Sequence, residues 1–246
     1  YSETSGTTNN DGTICNGASV TLTVTPSSGV DYSWSTGGTS DNISVSPSST
    51  TSYSVTVTNP TTNCSASISA SVTVNLLPNP TITFAETSGT TNNDGIICNG
   101  TSVTLTANPT TGMTYSWSAP ISASGNNKVV SPSSTTAYDV TVTNSTTACS
   151  ATTSSSVTVN PLPTPTISFT ETSGTTNDDG ITCSGDAVTL TANPTSGMTY
   201  SWAAPISATG NNKVVSPTST TAYTVTVTNS TTNCFASVSA SVTVNS

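Results

Sequence analysis

The side chains able to do chemistry in this chain are few and recur at fixed spacing. Six cysteines, Cys15, Cys64, Cys98, Cys149, Cys183 and Cys234, stand in a sequence that contains no histidine. Without histidine or a Cys-x-x-Cys pair they do not read as a zinc site, and a nucleophilic thiol would have no imidazole to activate it. Disulfides formed in an oxidising, extracytoplasmic setting suit them better. Acidic residues recur nearby: Glu3 with Asp11, Glu86 with Asp94, and Glu171 with Asp178 and Asp179. Calcium prefers oxygen ligands, so Glu86, Asp94, Glu171, Asp178 and Asp179 are the candidate ion loop. The strings do not match an EF-hand, however, and Asn-Asp-Gly is ordinary turn chemistry, so no metal and no cofactor is expected.

Other chemistries find less support. The basic residues are Lys128 and Lys213, at equivalent places, and the first part of the chain has no counterpart. A Lys–Asn cross-link is therefore a poorer reading than lysines that blunt a strand edge. Asn42, Asn63, Asn99, Asn144 and Asn229 lie in Asn-x-Ser/Thr sequons, which arise readily by chance in a chain so rich in these residues. Threonines at alternate positions, as in Thr141-Val-Thr143, would suit an ice or crystalline-polysaccharide surface, yet outward Thr is also the default for an exposed strand. No Gly-rich phosphate loop of recognised pattern is present. An enzyme is not expected.

These residues are carried by a tandem repeat. Glu-Thr-Ser-Gly-Thr-Thr-Asn begins at Glu3, Glu86 and Glu171, giving a period of 83 and then 85 residues. Trp34, Trp117 and Trp202 keep step, as do Tyr53, Tyr138 and Tyr223, and the cysteines fall in two equivalent sets. Residues 1–77, 78–162 and 163–246 are thus expected to form three domains, the first with a truncated opening strand. Asn75-Leu-Leu-Pro-Asn-Pro80 and Asn160-Pro-Leu-Pro-Thr-Pro165 link them, and proline at alternate positions keeps such segments extended.

In the middle repeat, Thr81–Phe84 reads as a first strand, followed by a polar loop from Glu86 to Ile97. Val103 and Leu105 alternate with Thr104 and Thr106 as a half-buried strand requires. Further strands are expected at 114–118, 128–131, 138–143 and 156–159, separated by Asn-Pro, Thr-Gly, Gly-Asn and Ser-Pro turns, with no helical pattern between them. About seven short strands, an early Trp and a late Tyr give an all-β chain of three tandem immunoglobulin-like β-sandwich domains. Tyr138 takes the place of a tyrosine corner.

Composition narrows the partners. Charged residues make up 5% of the chain and the formal net charge is -9. Nucleic acid is not expected as a partner, since binding it requires a basic stripe. No run approaches the roughly 18 apolar residues of a membrane span, and Tyr1-Ser2-Glu3 shows no basic region followed by an apolar run, so any export signal or anchor is expected to lie outside this stretch or to have been removed.

The middle repeat reads Cys98-Asn-Gly, then Val-Thr-Leu-Thr, Tyr-Ser-Trp-Ser, Ser-Pro-Ser-Ser-Thr-Thr-Ala-Tyr-Asp-Val-Thr-Val-Thr-Asn, Cys149-Ser-Ala and Val-Thr-Val-Asn-Pro-Leu-Pro-Thr-Pro. In this combination it resembles the immunoglobulin-like and PKD-like repeats of large Bacteroidota surface proteins, including gliding-motility-associated adhesins exported by the type IX system. The resemblance implies an extracellular, cell-surface or filament location. It also implies a structural extender whose partners are neighbouring copies of the same protein, or else adhesin repeats that bind glycan or another surface ligand.

Two disulfide patterns remain open. Pairing within each repeat would join Cys15 with Cys64, Cys98 with Cys149 and Cys183 with Cys234. In an immunoglobulin topology, however, Cys98 and Cys149 lie at opposite ends of the sandwich, farther apart than the roughly 7 Å a disulfide allows between Cα atoms. Pairing between repeats, Cys15 with Cys149 and Cys98 with Cys234, avoids that conflict and leaves Cys64 and Cys183 for neighbouring copies.

Overall fold

A computed structural model of the chain describes residues 1–174 and 176–245. Thr175, in the third Glu-Thr-Ser-Gly string, and Ser246, at the expected end of the third repeat, lie outside the described residues.

The first repeat forms β1 (Thr13–Cys15), β2 (Val20–Thr23), β3 (Asp31–Trp34), β4 (Asn42–Val45), β5 (Thr51–Thr58) and β6 (Ser65–Asn75). The second forms β7 (Thr81–Ala85), β8 (Ile96–Cys98), β9 (Val103–Asn108), β10 (Met113–Trp117), β11 (Ala123–Ser124), β12 (Asn127–Val130), β13 (Thr136–Asn144) and β14 (Ser150–Asn160). The third forms β15 (Thr166–Thr170), β16 (Ile181–Cys183), β17 (Val188–Asn193), β18 (Met198–Trp202), β19 (Ala208–Thr209), β20 (Asn212–Val215), β21 (Thr221–Asn229) and β22 (Phe235–Asn245). All regular structure among the described residues is β, and each repeat contributes two sheets of an immunoglobulin-like sandwich.

The sheet orders are β1-β6-β5-β3 with β2-β4, then β11-β10-β13-β14-β8 with β12-β9-β7, then β16-β22-β21-β18-β19 with β15-β17-β20. In the third repeat β15 runs antiparallel to β17, after which the chain crosses the sandwich and β16 pairs parallel with β22. In the first repeat the side of β2 that would take such an opening strand carries, among the described residues, the bridge Ser2↔Thr21.

Two elements depart from the sequence expectation. The segment read as a loop up to Ile97 closes with β8, which pairs parallel with β14, Cys98 opposite Asn160. The last strand of the second repeat begins at Ser150 instead of Ser156. Its first half, Ser-Ala-Thr-Thr-Ser-Ser, has no apolar alternation to announce a strand; the equivalent halves of β6 and β22 pair residue for residue with β5 and β21.

The residues form two compact units: Tyr1–Ile82 with Thr106–Lys128 and Tyr138–Ser155, and Thr83–Leu105 with Val129–Ala137 and the chain from Ser156 onward. In the first unit Ile14, Val20, Leu22, Val24, Trp34, Tyr53, Val55 and Val72 form one buried cluster. In the second, Val188, Leu190, Ala192, Trp202, Tyr223, Val225, Val227 and Val242 form its counterpart, with Ile167 and Phe169 of β15 packed against it. The alternation read from sequence is what supplies these inward faces. Each Trp satisfies its buried indole by donating Nε1–H to a backbone oxygen: Trp34 to Ser40, Trp117 to Gly125 and Trp202 to Gly210, at 2.8, 2.8 and 2.9 Å. Tyr138 is buried, as either a corner residue or a plain core aromatic would be. The hydroxyls of a different set, Tyr32, Tyr115 and Tyr200, donate to Pro26, Pro109 and Pro194 carbonyl oxygens at 2.5, 2.6 and 2.5 Å.

Candidate functional site: acidic loops and cysteine junctions

The acidic loops are organised around a buried glutamate, not around a carboxylate cluster. Glu3, Glu86 and Glu171 are 5%, 6% and 3% exposed. Glu86 Oε1 accepts the backbone N–H groups of Asp94 at 2.8 Å and Gly95 at 3.2 Å. Glu3 does the same with Asp11 and Gly12, and Glu171 with Asp179 and Gly180. The Glu86 N–H in turn donates to Asn93 Oδ1, while Asp94 Oδ1 accepts from the Ile96 N–H at 2.8 Å. The loop thus consumes its own acids in backbone bonds, which replace the pairing that its N–H groups would have in a sheet. In all three loops Oε2 is buried without a hydrogen-bond partner.

A close ring–backbone contact fixes the same turn. Gly95 has φ +77°, and a Cβ there would meet the Phe84 ring at 2.9 Å. A side chain is refused both by the left-handed backbone and by the ring, so the aromatic of the opening strand packs closely on this glycine. Tyr1 and Phe169 stand over Gly12 and Gly180 in the same way.

Among the described residues, no group of three or more His, Cys, Asp or Glu comes together as a metal site. By their hydrogen bonds Glu86, Asp94, Glu171, Asp178 and Asp179 are loop-forming residues: two glutamate clamps, the Asp94 and Asp179 turn caps, and Asp178, whose Oδ1 accepts from the Glu171 N–H.

The cysteines form two junctions. Cys15 is bonded to Cys149 and Cys98 to Cys234, each with Cα atoms 5.5 Å apart. The first bond ties the first repeat to the second within one unit, and the second ties the second repeat to the third within the other. Pairing within a repeat is excluded by the strands. In the third repeat Cys183 sits opposite Asn245 at the far end of β22, and Cys234 immediately precedes the strand's first residue, Phe235. Eleven residues of strand put the two ends roughly 35 Å apart. Cys64 and Cys183 are free and exposed.

The turn that presents the later cysteine is the same in each repeat. Asn144 Oδ1 accepts from the N–H groups of Thr146 and Thr147 at 2.9 and 3.1 Å, Ala148 has φ 55°, and the Asn144 N–H donates to the Cys149 carbonyl. Asn229 builds the turn for Cys234 with the same two distances, with Asn233 at φ 58°. Asn144 and Asn229, read as sequons, are thus the residues that shape these turns.

Lys128 Nζ donates to the Ser124 carbonyl oxygen, and Lys213 lies on β20 opposite Leu190. The outward threonines pair across strands instead of standing as a regular array: Thr56 with Ser67, Thr141 with Thr152 and Thr226 with Ser237, at 2.8, 2.9 and 2.8 Å between hydroxyl oxygens. Such cross-strand hydroxyl pairs contribute about 0.2–1 kcal/mol each. Sequence reading missed both these pairs and the glutamate clamps; the recurrence of Glu eight residues before Asp-Gly was the available signal.

No protein-family model matches the chain, and no curated protein matches it. Among solved structures, it is similar to the three N-terminal domains of the bacteriophage RB49 highly immunogenic outer capsid protein. The identity is 13%, 96% of this chain and 97% of that one are covered, and the TM-score is 0.36. The four N-terminal Ig domains of Dscam1 isoform 8.4 align at 14% identity over 95% of this chain and 71% of theirs, with a TM-score of 0.23. The SGBP-B protein of the Bacteroides ovatus mixed-linkage glucan utilization locus, solved with a heptasaccharide, aligns at 12% identity over 95% and 66%, with a TM-score of 0.20.

Proposed function

We propose that this chain is a non-enzymatic structural extender of an extracellular bacterial surface array or filament. The observation that carries the reading is the pair of bonds Cys15–Cys149 and Cys98–Cys234, each of which ties one repeat to the next. A bond inside a sandwich protects that sandwich; a bond between sandwiches resists their separation and limits how they bend. That is the property of a tension-bearing spacer, and it requires the oxidising surroundings of the cell exterior. The test is atomic force microscopy of single chains before and after reduction. Reduction should broaden the distribution of bend angles; an unchanged distribution rejects the spacer reading.

A second reading, a glycan-binding repeat, has one observation in its favour. In the second unit Phe235, 61% exposed, and Leu162 line a cleft of about 580 Å³ together with Asn99, Thr101 and Asn233. An exposed ring beside amides and hydroxyls suits the apolar face and hydroxyls of a sugar. A glycan array distinguishes the two: saturable binding lost in Phe235→Ala supports the adhesin, and no binding supports the spacer.

A further inference from the structure

Cys64 and Cys183 are the two unmatched halves of a junction that the chain makes twice. Cys64 occupies the position of Cys149 and Cys234, and its turn is already in the bonded form. Asn59 Oδ1 accepts from the Thr61 and Thr62 N–H groups at 2.9 and 3.1 Å. Asn63 has φ 57°, and the Asn59 N–H donates to the Cys64 carbonyl at 2.9 Å. The Cys64 sulfur lies 3.8 Å from the Thr62 carbonyl oxygen, against 3.7 Å for Cys149 and Cys234 from theirs. What differs is burial: Cys149 and Cys234 are fully buried, whereas Cys64 is exposed.

Cys183 occupies the position of Cys15 and Cys98. It faces Asn245 in the parallel ladder as Cys15 faces Asn75 and Cys98 faces Asn160. Gly174, nine positions before it, has φ +97°, matching Gly89 at +92° before Cys98. In the second unit, Asn233, next to Cys234, donates its side-chain amide to the Gly89 carbonyl at 3.0 Å. Asn63, next to Cys64, carries the same amide, so a second hydrogen-bonding half is also in place.

We propose that Cys183 of one copy of this chain bonds Cys64 of a second copy, with the Asn63 amide donating to the Gly174 carbonyl, so that copies join head to tail. The proposal rests on the spacer reading and adds its partner, a second copy, and its bonding atoms. The contact is heterologous, since each copy uses a different surface, so it propagates into a chain of subunits instead of closing as a two-fold dimer. Chemically, two thiols lose two protons and two electrons to a disulfide oxidant. The Cys183 thiolate displaces the small thiol from a Cys64 mixed disulfide, and two equivalents of that small thiol are released per oxidant consumed.

The test uses the full chain, produced oxidised so that the internal bonds are formed, and then exposed to a reduced and oxidised glutathione mixture. The parent should give a ladder on non-reducing gels that collapses on reduction. Cys64→Ser and Cys183→Ser, carrying tags of different size, should each stop at a homodimer, and their equimolar mixture should favour the heterodimer. Random pairing yields a twofold excess over either homodimer, and a templated contact should exceed this by about tenfold; Asn63→Ala should lower that preference about fivefold. Peptic mapping should recover Cys183 joined to Cys64. Statistical pairing in the mixture, or capture of both thiols by glutathione without bonds between copies, overturns the proposal. If no ladder forms while reduction still softens the single chain, this inference falls and the spacer reading stands.

Discussion

Replacing Cys15 and Cys149 together by serine, in a background that also carries Cys64→Ser and Cys183→Ser, removes one junction and leaves no thiol to form a substitute. The bond closes a loop with a sequence separation of 134 residues. Chain entropy assigns such a cross-link about 5 kcal/mol at 25 °C, provided that both anchored segments unfold in one transition. The first unit holds roughly 120 residues, for which 1 kcal/mol corresponds to about 4 °C, so its melting temperature should fall by about 20 °C. Calorimetry on the oxidised protein reads the shift directly. Cys98→Ser with Cys234→Ser should lower the second unit by the same amount, because a separation of 136 residues changes the logarithm negligibly. A fall of less than about 4 °C, equivalent to 1 kcal/mol, would refute the reasoning. It would mean that the joined repeats melt independently and that the bond constrains nothing the unfolding transition releases.

Glu86→Ala strips the acceptor from the Asp94 and Gly95 N–H groups and should cost about 2 kcal/mol in urea unfolding, with Glu86→Gln, which keeps an acceptor oxygen, costing less. Tyr223 has its phenol held above 10.0 by burial, opposed by a hydrogen bond with Thr221. The unfolded chain therefore loses that proton first; the contribution is complete below pH 10 and disappears as pH rises through the folded value, so circular dichroism melts should show an alkaline loss that Tyr223→Phe removes. Trypsin has two target side chains, Lys128 on β12 and Lys213 on β20, and native digestion should be slow until the protein is heated. Chelator should leave the melting temperature within about 2 °C of its starting value, since backbone bonds already occupy Oε1 of each loop glutamate.

The inward faces were legible because apolar and hydroxylic residues alternate strictly: Val103, Leu105 and Ala107 are buried, with threonines between them. That an early and a late cysteine of one repeat lie at opposite ends of a strand, as Cys183 and Cys234 do about β22, needed only strand count and length. What was not legible shares one physical cause. In Ser150–Ser155 and in Ile96–Cys98 the strand is specified by its neighbour, since β13 and β14 supply hydrogen-bonding partners that local propensity does not encode. The loop glutamates stood out as recurring acids, but their clamping role was not legible for the opposite reason: only closure of the Asp94–Gly95 turn onto the carboxylate buries it.

Why the bonds lie between repeats can be argued from magnitude. Cys98 and Cys149 are about 50 residues apart, whereas the observed bonds enclose 134 and 136. The logarithmic dependence makes the longer loop worth only about 1 kcal/mol more in the entropy removed from the unfolded chain. Stability alone therefore gives little reason to place the bond across a junction. The first and third repeats each have a buried aliphatic and Trp cluster, every repeat has hydroxyl-paired strands, and the glutamate clamp closes the loop before each early cysteine without help from sulfur. The added effect of an inter-repeat bond lies in coupling: load on one repeat reaches the next through a covalent link as well as through the proline-containing linker. Coupling of this kind extends only as far as the bonds do, and the described chain carries the free halves on its first and third repeats, at Cys64 and Cys183.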